Sequence, residues 1–258
     1  VSNDTEILRT SFAPLDKQMV QVVYTVDSHQ FPWKEEEYES LDEAIKHNKA
    51  QQKQISEEII ANISTVPPVR FLIAKSSETK EPLALFINIH HALYDGESFT
   101  MLMEDVAARY ADQPIPQRGS PAAFVEYVYS QDSEKAKQHW VRYLEGCHPT
   151  TFRTDFNAME PPVVVHRSLG VKLSELEHRS AALQTTVPSL VQAIFALLLA
   201  DTVGVSDVTY GLVLSGRAVS VPGASSVLLP CITTVPGRLN TASLGTVDDV
   251  VADVQKST

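Results

Sequence analysis

Ile89-His90-His91-Ala92-Leu93-Tyr94-Asp95-Gly96 joins two segments of different periodicity. The apolar run before it, Leu83-Ala84-Leu85-Phe86-Ile87-Asn88-Ile89, reads as a buried strand. After it, from 97 to 111, apolar residues recur at Phe99, Leu102, Met103, Val106 and Tyr110, the spacing of an amphipathic helix. His91 is therefore expected in a strand-to-helix turn.

Outward from that turn, 70–74 reads as a strand joined to the histidine strand by a polar connection of hairpin length, and Val66-Pro67-Pro68-Val69 separates it from what precedes. Between 40 and 63 charge dominates. Leu41, Ala44, Ile45, Ile55, Ile59, Ile60 and Ile63 nevertheless recur at helical spacings, which predicts a helix with a solvated outer face. Residues 18–26, rich in β-branched side chains, read as a strand, and 27–34 as a turn through His29 and Pro32. Pro114 and Pro116 end the helix after the motif, Pro121 opens a helix over 122–129, and 133–144 forms another.

Asn157, Pro161 and Pro162 mark 155–162 as a linker, which predicts a lobe of 1–156 and a second of 157–258. In the second lobe 163–173 is expected as a strand, and Ser174 with Glu177 as a capping box for a helix over 175–183. Pro188 should open a nearly all-apolar helix over 189–200, buried on most sides. Strands at 208–214 and 231–235 and a helix over 247–254 follow, with the loop Ser215-Gly216-Arg217 between the strands.

Composition narrows the function classes. With 258 residues and 43% hydrophobic side chains, the chain can bury one large core or two smaller ones. Lys and Arg total 21 against 32 for Asp and Glu, and the formal net charge of -11 argues against a nucleic-acid partner. Cys147 and Cys231 are far apart and support neither a disulfide framework nor a zinc spacing; a reducing, cytoplasmic setting is expected. No apolar stretch reaches the roughly 18 to 20 residues of a membrane span. The polar start without Met suggests an excised piece of a longer chain. His29, His47, His139, His148, His166 and His178 are isolated in sequence, and no metal site is expected.

At the motif, a neutral imidazole of ordinary pKa about 6.5 suits proton transfer as a nucleophile adds to a carbonyl, help worth roughly 10²- to 10⁴-fold. Backbone N–H groups at the mouth of the following helix, around Gly96, are placed to stabilise a developing oxyanion. Gly96 also permits a positive φ and close approach of a substrate. Asp95 has two readings, orienting an imidazole as in a triad or locking the loop through an ion pair, and an Asp entering a helix is often an N-cap.

The motif His90-His91-x-x-x-Asp95-Gly96 resembles that of condensation domains of nonribosomal peptide synthetases, within the wider His-His-x-x-x-Asp-Gly acyltransferase superfamily. Further segments are similar in the same order: Leu8-Arg9-Thr10-Ser11-Phe12, Phe124-Val125-Glu126-Tyr127, Ser215-Gly216-Arg217 and Pro230-Cys231-Ile232-Thr233-Thr234-Val235-Pro236. The filling Ala92-Leu93-Tyr94 and the Thr233-Thr234 variant look most like fungal domains of siderophore-making and chain-terminating, cyclising synthetases.

The resemblance implies an α/β, chloramphenicol-acetyltransferase-like pseudo-dimer of two lobes, the second incomplete here. It implies that His91 is the catalytic imidazole, that His90 supports it, and that Gly96 offers its N–H. Asp95 would pair with Arg9 in a structural role, and Ser215, Arg217, Cys231 and Thr233 would line a tunnel. The reaction implied joins a carrier-bound acyl or peptidyl thioester to an amine or hydroxyl, with no cofactor of the domain's own. Donor and acceptor peptidyl carrier proteins would bring 4'-phosphopantetheine, beside neighbouring synthetase modules, with no nucleic acid or membrane as partner. Departures are the missing first family segment upstream of Leu8, the stop before the later H-Q-x-x-P segment, Leu229 for Gly, Thr233 for Asn, and His90 where cyclising relatives often have Ser. The competing readings are an epimerase, a CoA-dependent acyltransferase, and a noncatalytic carrier-docking module.

Overall fold

The computed structural model describes residues 1, 3–28, 33–151 and 164–257. They form two compact units, one of Val1–Gln131 with Ser215–Ile232, the other of Asp132–Leu214 with Thr233–Thr258. Each is discontinuous in sequence, where the sequence reading has contiguous lobes. The linker expected at 155–162 and the residues His29 and Pro32 of the expected turn lie outside the described residues.

In the first unit β1 (Thr10–Leu15) and β2 (Gln18–Val23) form an antiparallel hairpin. A three-stranded sheet follows, built from β3 (Trp33–Tyr38), β4 (Val69–Ser76) and β5 (Pro82–Ile89), with α1 (Leu41–Ala61) in the crossover from β3 to β4. β3 runs parallel to β4, and β4 pairs antiparallel with β5, Val69 opposite Ile89, which is the hairpin the sequence predicts. β3 was not legible, because Lys34-Glu35-Glu36-Glu37 hides any apolar alternation. Its charges find partners only once it is paired: Lys75 binds Glu35, and Lys80 Nζ lies 2.7 Å from Glu37 Oε2.

α1 starts where a cap stops the strand. The Ser40 side chain accepts from the Glu43 N–H at 3.2 Å, and Asp42 and Glu43 sit in the first turn against the positive end of the helix dipole. Its buried residues are Ala44 and Ile59, and Ala44 packs with Tyr38 and Ala74. α2 (Gly96–Tyr110) and α3 (Pro121–Ser130) complete the unit's helices, the latter opened by Pro121 and capped by Ser120. The core joins Ile7, Leu8, Val69, Phe71, Leu93, Leu102 and Phe124 to Val227, Leu228, Leu229 and Cys231 of the returning segment. That segment is therefore an integral layer of the first unit.

The second unit holds α4 (Ser133–Tyr143), α5 (Leu173–Ala182), α6 (Val187–Val203), β6 (Asp207–Leu214), β7 (Thr233–Asn240) and α7 (Val247–Ser257), with β6 and β7 antiparallel. Arg238 of β7 binds Asp207 through two nitrogens and the carbonyls of Tyr143 and Glu145 through the third, tying α4 to the sheet.

Some expectations fail here. Residues 164–172 form no strand, and α5 begins at Leu173 behind Lys172, which makes no side-chain cap bond, so Ser174 and Glu177 are not a capping box. α6 is not buried on most sides. Leu190, Ala193, Ala196 and Leu199 face the core, whereas Val191, Ile194, Phe195 and Leu198 are 43–60% exposed. Among the described residues no single helix is long and apolar enough to cross a membrane.

Candidate functional site

The His turn is built by short-range bonds around one buried anchor. The His90 N–H donates to the Pro68 carbonyl at 2.9 Å, and the Leu93 N–H to the His90 carbonyl at 3.0 Å. The Ala92 N–H donates to His90 Nδ1 at 3.1 Å, which makes Nδ1 an acceptor and puts the neutral ring's proton on Nε2. Leu93, 1% exposed, is the anchor; burying a Leu side chain contributes about 1.5–3 kcal/mol. His90 is thus engaged in the turn.

His91 is exposed, and among the described residues its ring contact is with Tyr94, stacked at 4.6 Å between centroids and 16° between planes. Tyr94 in turn leans on Phe99 of α2 at 5.3 Å. Nothing in the sequence pattern marked Tyr94 as a neighbour of the imidazole.

Asp95 is fully buried, and both its oxygens are occupied. As N-cap of α2 it accepts the Ser98 N–H at 2.8 Å on Oδ1, while the Ser98 hydroxyl accepts the Asp95 N–H at 2.8 Å. Arg217 holds the carboxylate with both terminal nitrogens, Nη1 to Oδ2 at 2.7 Å and Nη2 to Oδ1 at 3.0 Å. The N–H groups of Cys231 and Ile232 add 2.8 and 3.3 Å bonds to Oδ2. Burial alone would raise the carboxyl's pKa, but the guanidinium and the backbone donors outweigh it and hold Asp95 well below the usual carboxylate range.

This geometry decides between the two readings of Asp95 in favour of the structural one and corrects its expected partner. Asp95 does not orient an imidazole, because its lone pairs are taken by other donors. Its cation is Arg217 and not Arg9: Arg9 instead gives its guanidinium to the Tyr24 carbonyl, and its own carbonyl accepts the Tyr24 N–H at 2.9 Å, closing the end of the β1–β2 hairpin.

Arg217 and Cys231, expected along a tunnel, are buried in the first unit. They are 6% and 7% exposed and belong to the clamp on Asp95, where Arg217 also donates to the Leu229 carbonyl at 2.8 Å. Ser215 serves the same clamp, its carbonyl accepting from Arg217 Nη1 at 3.3 Å. Gly216 makes the close approach feasible: its φ is +70°, and a Cβ there would sit 1.9 Å from the Cys231 carbonyl oxygen. Burial pushes the Cys231 thiol up to about 11, although Arg217 pulls the other way. Thr233 opens β7 in the second unit and is exposed.

Gly96 lies outside the positive-φ region, contrary to expectation, and a Cβ on it would meet nothing within 4 Å. The fold therefore gives no steric reason for a glycine here. Gly96 and Glu97 carry the first N–H groups of α2, which have no intrahelical acceptor, and the third, that of Ser98, is consumed by the cap. An exposed imidazole beside uncommitted donors at a helix mouth can accept a proton and stabilise negative charge on a carbonyl oxygen.

On an α/β frame that is the outline of an acyltransferase-type catalytic domain. Residues 1–258 match the family described as Condensation domain, and the chain belongs to that family. It is 60% identical over 257 residues to the nonribosomal peptide synthetase sidC of Aspergillus fumigatus, covering 100% of this chain and 5% of that protein. Identity to the ferrichrome siderophore peptide synthetase of Mycosarcoma maydis is 34% over 247 residues, 92% of this chain and 6% of that one. The chain thus spans a small fraction of the length of the curated relatives it matches. Among solved structures, holo T3CT aligns with a TM-score of 0.69 at 25% identity, over 99% of this chain and 57% of that one. The epimerization domain from the third module of tyrocidine synthetase B aligns at 0.73 and 16% identity, over 99% and 61%, a likeness of fold alone. These likenesses carry the chloramphenicol-acetyltransferase-like α/β fold expected from the motifs.

Proposed function

We propose that this domain joins a carrier-bound acyl or peptidyl thioester to an amine or hydroxyl, with His91 handling the proton. The nucleophile's nitrogen or oxygen bonds to the thioester carbon, the carbon–sulfur bond breaks, and the proton lost by the nucleophile passes through the imidazole to the departing sulfur. Amide or ester and free thiol result, with no covalent enzyme intermediate. Gly96 and Glu97 N–H groups would hold the oxyanion. The thioester would arrive on the 4'-phosphopantetheine of one carrier protein, and an amine acceptor on that of another, within a synthetase of several modules. The names of the relatives support a product of the siderophore class.

The observation that carries this reading is His91 itself: an exposed imidazole, stacked on Tyr94 but with no hydrogen bond or ion pair among the described residues, on a turn fixed from below by the buried Asp95–Arg217 pair. The same feature disfavours a purely docking role, for which nothing requires a free imidazole. Single-turnover transfer between loaded carriers tests it. His91→Ala should lower the rate by roughly 10²- to 10⁴-fold. Near-normal turnover would remove the base and leave positioning of the two substrates as the source of rate.

A further inference from the structure

Beside His91 the first unit contains a hollow of about 440 Å³, within the range of small-ligand pockets. Ile59 and Ile60 of α1 and Ile87 and Ile89 of β5 supply its apolar surface, Gln52, Ser56 and Asn88 its polar groups, and His90, His91 and Tyr94 the remaining wall. We propose that this hollow is the subsite for the side chain of the acyl group that His91 serves, and that it selects an uncharged side chain with an aliphatic stem and a polar end. The inference rests on the role given to His91 above.

Reach is the first argument. Reacting atoms approach to about 3–3.5 Å, and in an aminoacyl thioester the side chain starts only two bonds from the reacting carbon. It must therefore lie against whatever adjoins the imidazole, and the hollow has His91 in its wall. Chemistry is the second. Ile60 is 56% exposed, apolar surface that an aliphatic stem would cover. The Gln52 amide has no partner among the described residues, so it offers both a donor and an acceptor. Ser56 donates its proton to the Gln52 carbonyl at 2.8 Å and keeps lone pairs to accept.

Charge is the third argument. No Asp, Glu, Lys or Arg lines the hollow, and Lys53 and Glu57 of α1 pair with each other at 3.9 Å outside the lining. A charged side chain would enter without a counter-ion, whereas an amide-bearing one finds matching groups.

The test compares carrier-bound N-acetylated glutaminyl, glutamyl and lysyl thioesters against one amine acceptor, using the protein and Ser56→Asp. Ser56 is exposed on α1, so the variant should fold. The native protein should favour glutaminyl over glutamyl, its near-isostere, by about tenfold or more in kcat/KM. Ser56→Asp should move the lysyl-to-glutaminyl ratio upward by about tenfold. Binding of the corresponding non-transferable amide analogues to His91→Ala reads the same preference without chemistry. Equal kcat/KM for glutaminyl and glutamyl, or an unchanged lysyl-to-glutaminyl ratio in Ser56→Asp, would overturn the subsite. Full turnover by His91→Ala with the binding order intact would overturn the base and leave the subsite standing.

Discussion

Removing Arg217 should cost the first unit far more than removing Arg9, and the loss should be shared with Asp95. The Asp95 and Arg217 side chains are 0% and 4% exposed; deleting Arg217 leaves Asp95 as a buried, uncompensated carboxylate, whereas deleting Asp95 leaves Arg217 with Glu97 at 3.5 Å, so the Arg217 variant should lose the more. Breaking such a pair typically costs about 3–5 kcal/mol. At about 2–4 °C per kcal/mol for a domain of moderate size, that is a Tm lower by about 6–20 °C. Arg217→Ala, Asp95→Ala and the double variant can be compared by urea unfolding at pH 7. In a Trp140→Phe background Trp33, which stacks on Phe71 at 4.7 Å, becomes the sole tryptophan and reports the first unit. The double variant should lose less than the sum of the singles, by about 0.5–3 kcal/mol. Arg9→Ala should add to Asp95→Ala without coupling, since its contacts are with Tyr24. Additive losses for the Arg217 pair, or coupling of Asp95 to Arg9, would refute the clamp.

Because the Asp95 carboxyl is held below its ordinary value of 3.8, the unfolded chain takes up its proton first. Its contribution to stability is full above that value and is lost as pH falls below it; Asp95→Asn should flatten this acid limb in a pH series of urea midpoints. Gly96→Ala should leave stability unchanged or raise it by up to about 1 kcal/mol, because the added methyl meets no protein atom, yet should slow transfer by crowding the helix mouth. Normal kinetics would show that no substrate group comes that close. Gly216→Ala should be severely destabilising, about 1–3 kcal/mol from its φ alone with the overlap on the Cys231 carbonyl added, and an unchanged melting curve would contradict this. Iodoacetamide at pH 8 should modify Cys147 well before Cys231, whose thiol is buried and pushed up to about 11; mass spectrometry of the labelled peptides distinguishes the two.

Local rules recovered the elements whose cause is local. The helix within 40–63, the β4–β5 hairpin, the strand-to-helix turn at His91 and Pro121 at a helix start each follow from a few adjacent residues. β3 was missed because a charged strand is stabilised by its neighbour, through Lys75 and Lys80, and not by its own pattern. The apolar composition of α6 gave no face to distinguish, so its exposed side could not be read. At the site, His91 and Gly96 stood out by residue type and spacing. Tyr94 and the α1 groups near His91 carried no such mark.

The Asp95 pairing shows where the division falls. The sequence by itself offered Asp95 as a cap for α2, since that requires only the Ser98 N–H three residues on. It could not select which arginine neutralises that acid once buried, because a buried charge is satisfied by whichever cation the packing brings within reach. Tertiary structure decided that: the returning segment 215–232 packs into the first unit, Gly216 lets it close on the Cys231 carbonyl, and Arg217, 122 residues away in sequence, arrives at 2.7 Å.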